Sequence, residues 1–134
     1  MSGIEYLLDT NVIIGLLKDD AAAVALAEQA NLSLASCAVS QITRMELLSF
    51  PGITDVEEQR IKDFLSNCRM LLLDESVEQE TIRLRRASSL KLPDAIIAAS
   101  AKVHGAALLT LDQRLKANLV KVGLGKEFGP LNRR

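Results

Sequence analysis

The sequence predicts an α/β fold of three layers, in which helices cover both faces of a central, mainly parallel sheet of five strands. Short apolar segments alternate with segments of helical character, and turn residues separate them. This alternation is typical of βαβ units, whose strands are buried on both faces of the sheet. With 134 residues and 49% hydrophobic content, the chain fits a single domain over residues 1–134, with an irregular tail after about residue 123.

The N-terminal part of the chain begins with a strand and two helices. Residues 4–8 form an apolar run, and Thr10 and Asn11 are N-capping residue types that directly precede three apolar residues. Residues 21–30 are rich in alanine and favour a helix, whereas residues 34–39 have the character of a strand. The first two predicted strands are therefore separated by helices, as a parallel pair requires.

The middle of the chain repeats this order. Thr43 and Glu46 have the spacing of a capping box that opens a helix. Pro51 then breaks the chain, apolar residues recur at helical spacing over residues 56–65, and residues 70–73 are a candidate buried strand.

The C-terminal part contains the most apolar predicted helix. A solvent-facing helix begins at Asp74 and fades near residues 88–89, and Pro93 then suits the first turn of a helix that ends at Gly105. Residues 95–99 of that helix are apolar on nearly every side, so we expect the helix to be central. The remaining predicted elements are a strand at 106–109, a short helix at 113–118 and a last strand at 119–122.

Composition argues against several classes of protein. The net charge of −1 gives no global attraction for polyanions, and only four scattered aromatic residues argue against a base-stacking platform. Cys37 and Cys68 lie far apart and form no CxxC pair, so we expect reduced core thiols and no structural zinc site. Glu5 and Asp9 interrupt the N-terminal region where a secretory signal would lie, and no apolar run approaches about 20 residues. The expected location is the cytoplasm, without a membrane anchor.

Four acidic residues stand out by their positions, although each has a local explanation. Asp9 can be a helix cap, and Glu46 can be the third residue of its capping box. Asp94 can complement the dipole of the helix opened by Pro93, and Asp112 can start the helix that follows it.

Their joint placement predicts a shared site. Asp9, the Glu46 turn and Asp112 follow predicted strands, and ligand sites in open parallel sheets form outside the carboxyl ends of the strands. Two carboxylates about 4 Å apart repel by roughly 4 kcal/mol at an effective dielectric of 20, so converging acids need a cation between them. Without nearby His or Cys the ligands would all be oxygens, which suits Mg²⁺ or Mn²⁺ and not Zn²⁺.

A carboxylate-rich Mg²⁺ site suits hydrolysis of a phosphodiester, because the metal can activate a water and stabilise the charge that develops on phosphorus. The metal-free route to RNA cleavage uses a general acid and a general base, usually histidines. His104 is the one histidine of the sequence and lies at the predicted end of an alanine-rich helix. We therefore expect His104 to be structural.

Four segments carry a resemblance to a known family: LLDTNVII, ITRMELL, LKLPDAIIAASA and LLTLDQRL, in this order. Together they resemble the PIN-domain ribonucleases, in particular the VapC-type toxins of bacterial toxin–antitoxin pairs. The resemblance spans nearly the whole chain. It implies a PIN-like α/β/α fold and a Mg²⁺-dependent endoribonuclease that forms a homodimer and is inhibited by a cognate antitoxin. It also implies that tRNA or another translation-related RNA is the substrate.

The resemblance assigns roles to individual residues. Asp9, Glu46, Asp94 and Asp112 fall on the acidic positions of the family, with Asp9 and Asp94 as direct metal ligands and the other two acting partly through waters. Asn11 and Thr110 fall on supporting polar positions, although Asn11 can also be a plain helix cap. Many relatives carry a further Asp and an aromatic residue shortly after the fourth acid, where this chain has Leu115 and Lys116. At least one Mg²⁺ is therefore expected, and a second is left open.

A basic segment precedes the third acid and could bind RNA phosphates. The segment contains Arg83, Arg85, Arg86 and Lys91. The alternative interpretation is that these residues form a solvated helix face. The tail residues Arg133 and Arg134 are expected to be disordered.

Two other functions remain open at this point. One is a catalytically inactive PIN-like module that binds RNA or serves as a scaffold, against which the intact set of four acids argues. The other is a metal-dependent phosphatase of the haloacid-dehalogenase type. Such enzymes carry a second Asp two residues after the first, and here Asn11 holds that place.

Overall fold

The computed structural model describes residues 3–121, so the predicted irregular tail with Arg133 and Arg134 lies outside the described residues. Within this range four strands alternate with seven α-helices. In chain order they are β1 Tyr6–Leu8, α1 Thr10–Leu17, α2 Ala21–Gln29, β2 Cys37–Ser40, α3 Gln41–Leu48, α4 Asp55–Leu65, β3 Arg69–Leu71, α5 Glu75–Ala87, α6 Leu92–Val103, β4 Ala107–Leu109 and α7 Gln113–Lys121.

The strands form one parallel sheet in the order β3-β2-β1-β4. Leu7 of β1 is the register partner of Ala38 in β2 and of Leu108 in β4. The first strand is therefore an interior strand, flanked on both sides, and the residue that follows it lies in the middle of the carboxyl edge. The predicted α/β fold with a parallel sheet is confirmed.

The predicted fifth strand is wrong for the part of the chain that the structure describes. Leu119 and Val120 lie in α7, and residue 122 is outside the described range. Leu119 is one helical turn after Leu115, and both are 1% exposed because they pack together against the core. The segment 119–122 is too short to show a periodicity of its own, and only the spacing of Leu119 from Leu115 identifies it as helical.

The helices cover both faces of the sheet, because successive side chains of each strand point to opposite faces. Leu7 and Leu108 pack in a hydrophobic cluster with buried residues of α5, α6 and α7. Leu8, Val39 and Leu109 pack in a second cluster with buried residues of α1, α2, α3 and α4. This is the predicted three-layer arrangement.

Two predicted helix starts are wrong in detail. Ser40 is the N-cap of α3, with its hydroxyl accepting from the N–H of Ile42 at 3.3 Å, so the predicted capping box of Thr43 and Glu46 does not exist. Asp9 is the N-cap of α1, so Thr10 and Asn11 are its first two helical residues.

The remaining boundaries follow local chemistry. Residues 34–36 form a 3₁₀ turn, so β2 begins at Cys37 and not at residue 34 as predicted. Pro93 lies in the first turn of α6, and Gly105 ends the segment with a φ of +65°, a conformation that glycine adopts without strain. None of the helices between residues 3 and 121 is long and apolar enough to cross a membrane.

Candidate active site

The four predicted acids lie at the carboxyl edge of the sheet. Asp9 directly follows β1, Asp112 follows β4, Glu46 lies in the second turn of α3, and Asp94 lies in the first turn of α6. Asp9 is 5% exposed, Asp94 and Asp112 are half-buried, and Glu46 is exposed. The group therefore runs from a buried carboxylate to a solvent-accessible one.

Asp9 is held by donors from both sides. Its Oδ2 accepts from the Thr110 hydroxyl at 2.7 Å and from Asn11 Nδ2 at 3.3 Å. Its Oδ1 accepts from the backbone N–H of Thr10 at 2.8 Å. Both residues predicted to support the site, Asn11 and Thr110, thus contact the carboxylate of Asp9.

Asn11 also fastens the end of α1 to the segment after β4. Its Oδ1 accepts from the backbone N–H of Leu111 at 3.0 Å, and its Nδ2 faces Asp9. The side chain therefore uses both ends of its amide on the site. The alternative reading of Asn11 as the helix cap does not hold, because Asp9 is the cap.

Asp112 caps a helix and is also linked to Asp9 through Thr110. Its Oδ1 accepts from the backbone N–H groups of Arg114 at 2.9 Å and Leu115 at 3.2 Å, which caps the start of α7. Its own backbone N–H donates to the Thr110 hydroxyl at 3.0 Å, the same hydroxyl that donates to Asp9. Asp9 and Asp112 therefore each cap a helix and also belong to the group of four acids.

Two threonines whose sequence positions predict only capping roles, Thr10 and Thr43, also lie at this site. The hydroxyl of Thr10 is 2.7 Å from Glu46 Oε1 and 3.1 Å from the hydroxyl of Thr43. Thr43 is fully buried. No local pattern identifies this contact, because α1 and α3 are brought together only by the tertiary fold.

The charges of neighbouring acids raise the pKa values of Asp9 and Asp94. The pKa of Asp94 is raised, first by burial and then by the charges of Asp9, Asp112 and Glu46, while Lys91 opposes this shift. The pKa of Asp9 is also raised, mainly by burial and further by Glu46 and Asp112, while the hydrogen bonds from Thr110 and Thr10 lower it. The charges of Glu46 and Asp112 thus act on both Asp9 and Asp94.

The donor set fits a hard divalent cation in its chemistry. The acids and the residues that hydrogen-bond to them offer carboxylate, hydroxyl and amide oxygens, which suit Mg²⁺ or Mn²⁺. Within residues 3–121, no three acidic, His or Cys side chains are close enough together to form a complete ligand set. Mg²⁺ does not require such a set, because it commonly binds one or two carboxylates directly and keeps several waters.

The predicted basic segment is divided by the fold. Arg83 in α5 forms an ion pair with Glu80, with Nε donating at 3.1 Å, and Lys102 lies 3.4 Å from the same carboxylate. Arg85 and Arg86 lie exposed in the last turn of α5. Lys91 is the N-cap of α6, and its charge acts on Asp94. Of this segment, Lys91 is the residue with a described link to the acids.

An apolar groove of about 290 Å³ adjoins Glu46. It lies between α1, α3 and α4, and the loop at residues 50–53 closes one side. Its apolar lining includes Ile14, Leu17, Leu47, Phe50, Ile53 and Ile61, and Glu46 and Arg60 are among its charged residues.

Comparison with known proteins places this architecture in a family. Residues 6–118 match the family model of the PIN domain. The chain is 30% identical to a chain in a toxin–antitoxin complex from Klebsiella pneumoniae, with a TM-score of 0.75 and coverage of 87% of this chain and 94% of that chain. It is 26% identical to a chain in the structure of FitAcB from Neisseria gonorrhoeae, with a TM-score of 0.67 and coverage of 82% and 89%.

A more distant likeness shows the fold alone. The chain is 21% identical to a chain in the structure of VapBC2 from Rickettsia felis bound to a DNA fragment from the promoter, with a TM-score of 0.68 and coverage of 86% and 93%. No curated protein matches the chain significantly. The residues matched by the family model include all four strands and the four acids, and the resemblance seen in the sequence is confirmed: the chain belongs to the PIN-domain family.

Proposed function

We propose that this protein is a VapC-type toxin of a toxin–antitoxin pair, an endoribonuclease that hydrolyses phosphodiester bonds with Mg²⁺ or Mn²⁺ as cofactor. The observation that carries the proposal is that hydrogen bonds through Thr110 and Thr10 link Asp9 to Asp112 and to Glu46 at one edge of the sheet. The charges of these three acids also raise the pKa of Asp94, so the site has an excess of negative charge. A divalent cation relieves such repulsion, and helix dipoles alone do not. Family membership and the 30% identity to a chain in a toxin–antitoxin complex support the toxin assignment.

Asp9 and Asp94 are the proposed direct ligands, because their carboxylates are the ones whose charge the pocket disfavours in the absence of a cation. Glu46 and Asp112 would act partly through waters. Thr110 and Asn11 would fix the orientation of Asp9, since both donate to its Oδ2. The bound ion would supply an activated water and would stabilise the charge that develops on the phosphate.

A basic residue of the chain would then hold the RNA while water attacks the phosphate. Lys91, whose charge acts on Asp94, would bind a phosphate beside the scissile bond. Attack by water would leave a 5′-phosphate and a 3′-hydroxyl. A histidine-based mechanism has no support, because His104 follows the last residue of α6 and Asp94 lies at its start, about 15 Å away along a helix that rises 1.5 Å per residue.

The proposed substrate is structured RNA, with tRNA or another translation-related RNA as the target class. Recognition would rest on the shape of the RNA backbone, because aromatic side chains for base stacking are few. Phe50 is exposed and lines the groove beside Glu46.

The proposed partners are a cognate antitoxin and a second copy of the chain, in the cytoplasm. The apolar groove that adjoins Glu46 would suit a segment of the antitoxin, and a basic side chain on that segment could enter the acidic pocket. Such binding would cover the substrate site and neutralise the acids together.

The proposal is tested by incubating the purified protein with total cellular RNA in Mg²⁺, with and without excess EDTA, and comparing Asp94→Asn with wild type. Asp55→Asn is the matched control, because Asp55 also lies in the first turn of its helix but is exposed. Cleavage that requires Mg²⁺ and Asp94 but not Asp55 is expected. Cleavage indifferent to EDTA and Asp94→Asn would refute the metal mechanism, and binding of RNA without cleavage would indicate an inactive RNA-binding module.

A further inference from the structure

We infer that Thr10 and Thr43 are positioning residues that hold the carboxylate of Glu46 in the active site. The inference rests on the proposed function, because it assigns the two hydroxyls a role at the same metal site. It adds two residues to the four acids and to the supporting pair Asn11 and Thr110.

The geometry gives the two hydrogen bonds a direction. Thr10 Oγ1 lies 2.7 Å from Glu46 Oε1 and 3.1 Å from Thr43 Oγ1. A hydroxyl has a single hydrogen, and a carboxylate oxygen is a stronger acceptor than a hydroxyl. The hydrogen of Thr10 therefore goes to Glu46, and the hydrogen of Thr43 goes to Thr10. The result is a short chain of donors that ends on the carboxylate.

Thr10 also connects Glu46 to the buried acid of the site. Its backbone N–H donates to Asp9 Oδ1 at 2.8 Å while its hydroxyl faces Glu46. One residue thus fixes two carboxylates that come from different elements, the turn after β1 and the second turn of α3. The Thr10 hydroxyl thereby ties the Glu46 carboxylate to the residue that directly follows Asp9.

Thr43 differs from Thr81, which is also a buried threonine on a helix. The Thr81 hydroxyl donates to the carbonyl of Val77 one turn earlier in α5, which satisfies it within its own helix. The contact described for the Thr43 hydroxyl runs instead to α1, although the residue is fully buried. A threonine at this position is therefore not explained by helix packing alone, for which valine has the same shape.

Glu46 needs such a restraint because it is exposed. A free, exposed glutamate side chain samples many rotamers, and the loss of this rotamer freedom on ordering opposes metal binding. The donor chain selects one orientation before the cation arrives. The expected role of Thr10 and Thr43 is therefore to strengthen metal binding through Glu46.

The inference is tested by measuring the affinity for Mn²⁺ by calorimetry, without RNA, and Mn²⁺-dependent cleavage of RNA in parallel. Thr10→Val keeps the backbone N–H to Asp9 and removes the hydroxyl, and we expect it to weaken Mn²⁺ binding roughly 10-fold. Thr10→Ser should restore wild-type affinity. Thr43→Val should cause a smaller loss, because Thr10 can still donate to Glu46, and Thr81→Val should cause none.

A double-mutant cycle shows that the effect passes through Glu46. In the Glu46→Ala background, Thr10→Val should cause no further loss of Mn²⁺ affinity. If Thr10→Val binds Mn²⁺ as tightly as wild type, or if its loss is unchanged in the Glu46→Ala background, the inference is wrong while the proposed function stands.

If the wild-type protein neither binds Mn²⁺ nor cleaves RNA, the proposed function fails, and the same cycle is then read in urea unfolding. Effects of Thr10→Val and Glu46→Ala on the unfolding midpoint that simply add would show that the two side chains are not coupled and would overturn the inference. Non-additive effects would leave the donor chain as a structural link only, and would overturn its role in metal binding.

Discussion

The hydroxyl of Thr110 donates to Oδ2 of Asp9 across 2.7 Å and so joins the ends of β4 and β1. Asp9 is nearly inaccessible to water, so this bond replaces solvation that its carboxylate loses on folding. Thr110→Val should lower the free energy of unfolding by about 1–3 kcal/mol, because the buried carboxylate loses a donor. Urea unfolding in EDTA measures the change.

Thr110→Ser is the control for this substitution, because it keeps the hydroxyl and removes only a methyl group. It should retain most of the stability that Thr110→Val loses. Equal losses in the two variants would show that packing, and not the hydrogen bond to Asp9, makes Thr110 important.

Asp94 should make the metal-free protein less stable at neutral pH. Its pKa is raised in the folded state by burial and by its acidic neighbours, so the folded protein favours the protonated carboxyl, and ionisation weakens folding. Asp94→Asn in EDTA should therefore raise the melting temperature at pH 7. The advantage should disappear as the pH falls below the ordinary Asp pKa of 3.8, where wild type is protonated in both states.

Added Mg²⁺ should make the melting temperature of wild type higher than that of Asp94→Asn. The ion would stabilise wild type by binding the folded state, whereas Asp94→Asn would respond weakly. Asp55→Asn, measured beside them, controls for the loss of a carboxylate from the first turn of a helix. A melting temperature of Asp94→Asn below that of wild type at pH 7 in EDTA would contradict the electrostatic argument.

Gly15 allows α1 and α2 to approach closely. A Cβ at this position would lie 2.5 Å from the Cβ of Ala23, which is below van der Waals contact, and Ala23 is itself fully buried. Gly15→Ala should lower the free energy of unfolding by about 1–3 kcal/mol through overpacking. Adding Ala23→Gly should recover part of the loss in the same urea assay, whereas no recovery would place the cause elsewhere.

Lys91 and Arg83 should differ in their contribution to RNA binding, although both belong to the basic segment of the sequence. Arg83 is engaged by Glu80 on its own helix, whereas Lys91 lies near the acidic pocket. Lys91→Ala should weaken RNA binding and reduce the slope of log K against log salt by about 1, as expected for the loss of one phosphate contact. Arg83→Ala should leave that slope nearly unchanged.

This comparison is best made in the Asp94→Asn background, where RNA is bound without being cut. Filter binding over a series of salt concentrations gives both the affinity and the slope. A larger effect of Arg83→Ala than of Lys91→Ala would place the RNA path along α5 and away from the start of α6.

Local sequence patterns were sufficient for the layers of the fold and for the edge that carries the acids. Asp9 could be placed because an apolar run, an acid and a new apolar run mark the end of a strand and the start of a helix. The predicted strand at 119–122 was wrong because a segment this short, with three apolar residues and Lys121, fits a strand or one face of a helix equally well.

The contacts within the site could not be predicted in this way. The bond between Leu111 and Asn11 joins residues that are 100 positions apart, and the bond between Thr10 and Glu46 spans 36 positions. Thr43 illustrates the difficulty, because its spacing to Glu46 fits a capping box, yet Ser40 caps the helix and leaves Thr43 for a contact with α1. Such choices depend on which helix is packed alongside.

The pairing of β1 with β4 also has a consequence for synthesis of the protein on the ribosome. Asp9 and Glu46 emerge early, but Thr110 and Leu111, which clamp Asp9 and Asn11, are translated late. An unfinished chain that already contains three of its strands thus lacks the clamp, and it also lacks Asp112. For a protein proposed to attack the translation machinery, this order of assembly would keep the nascent polypeptide harmless to the ribosome that is making it.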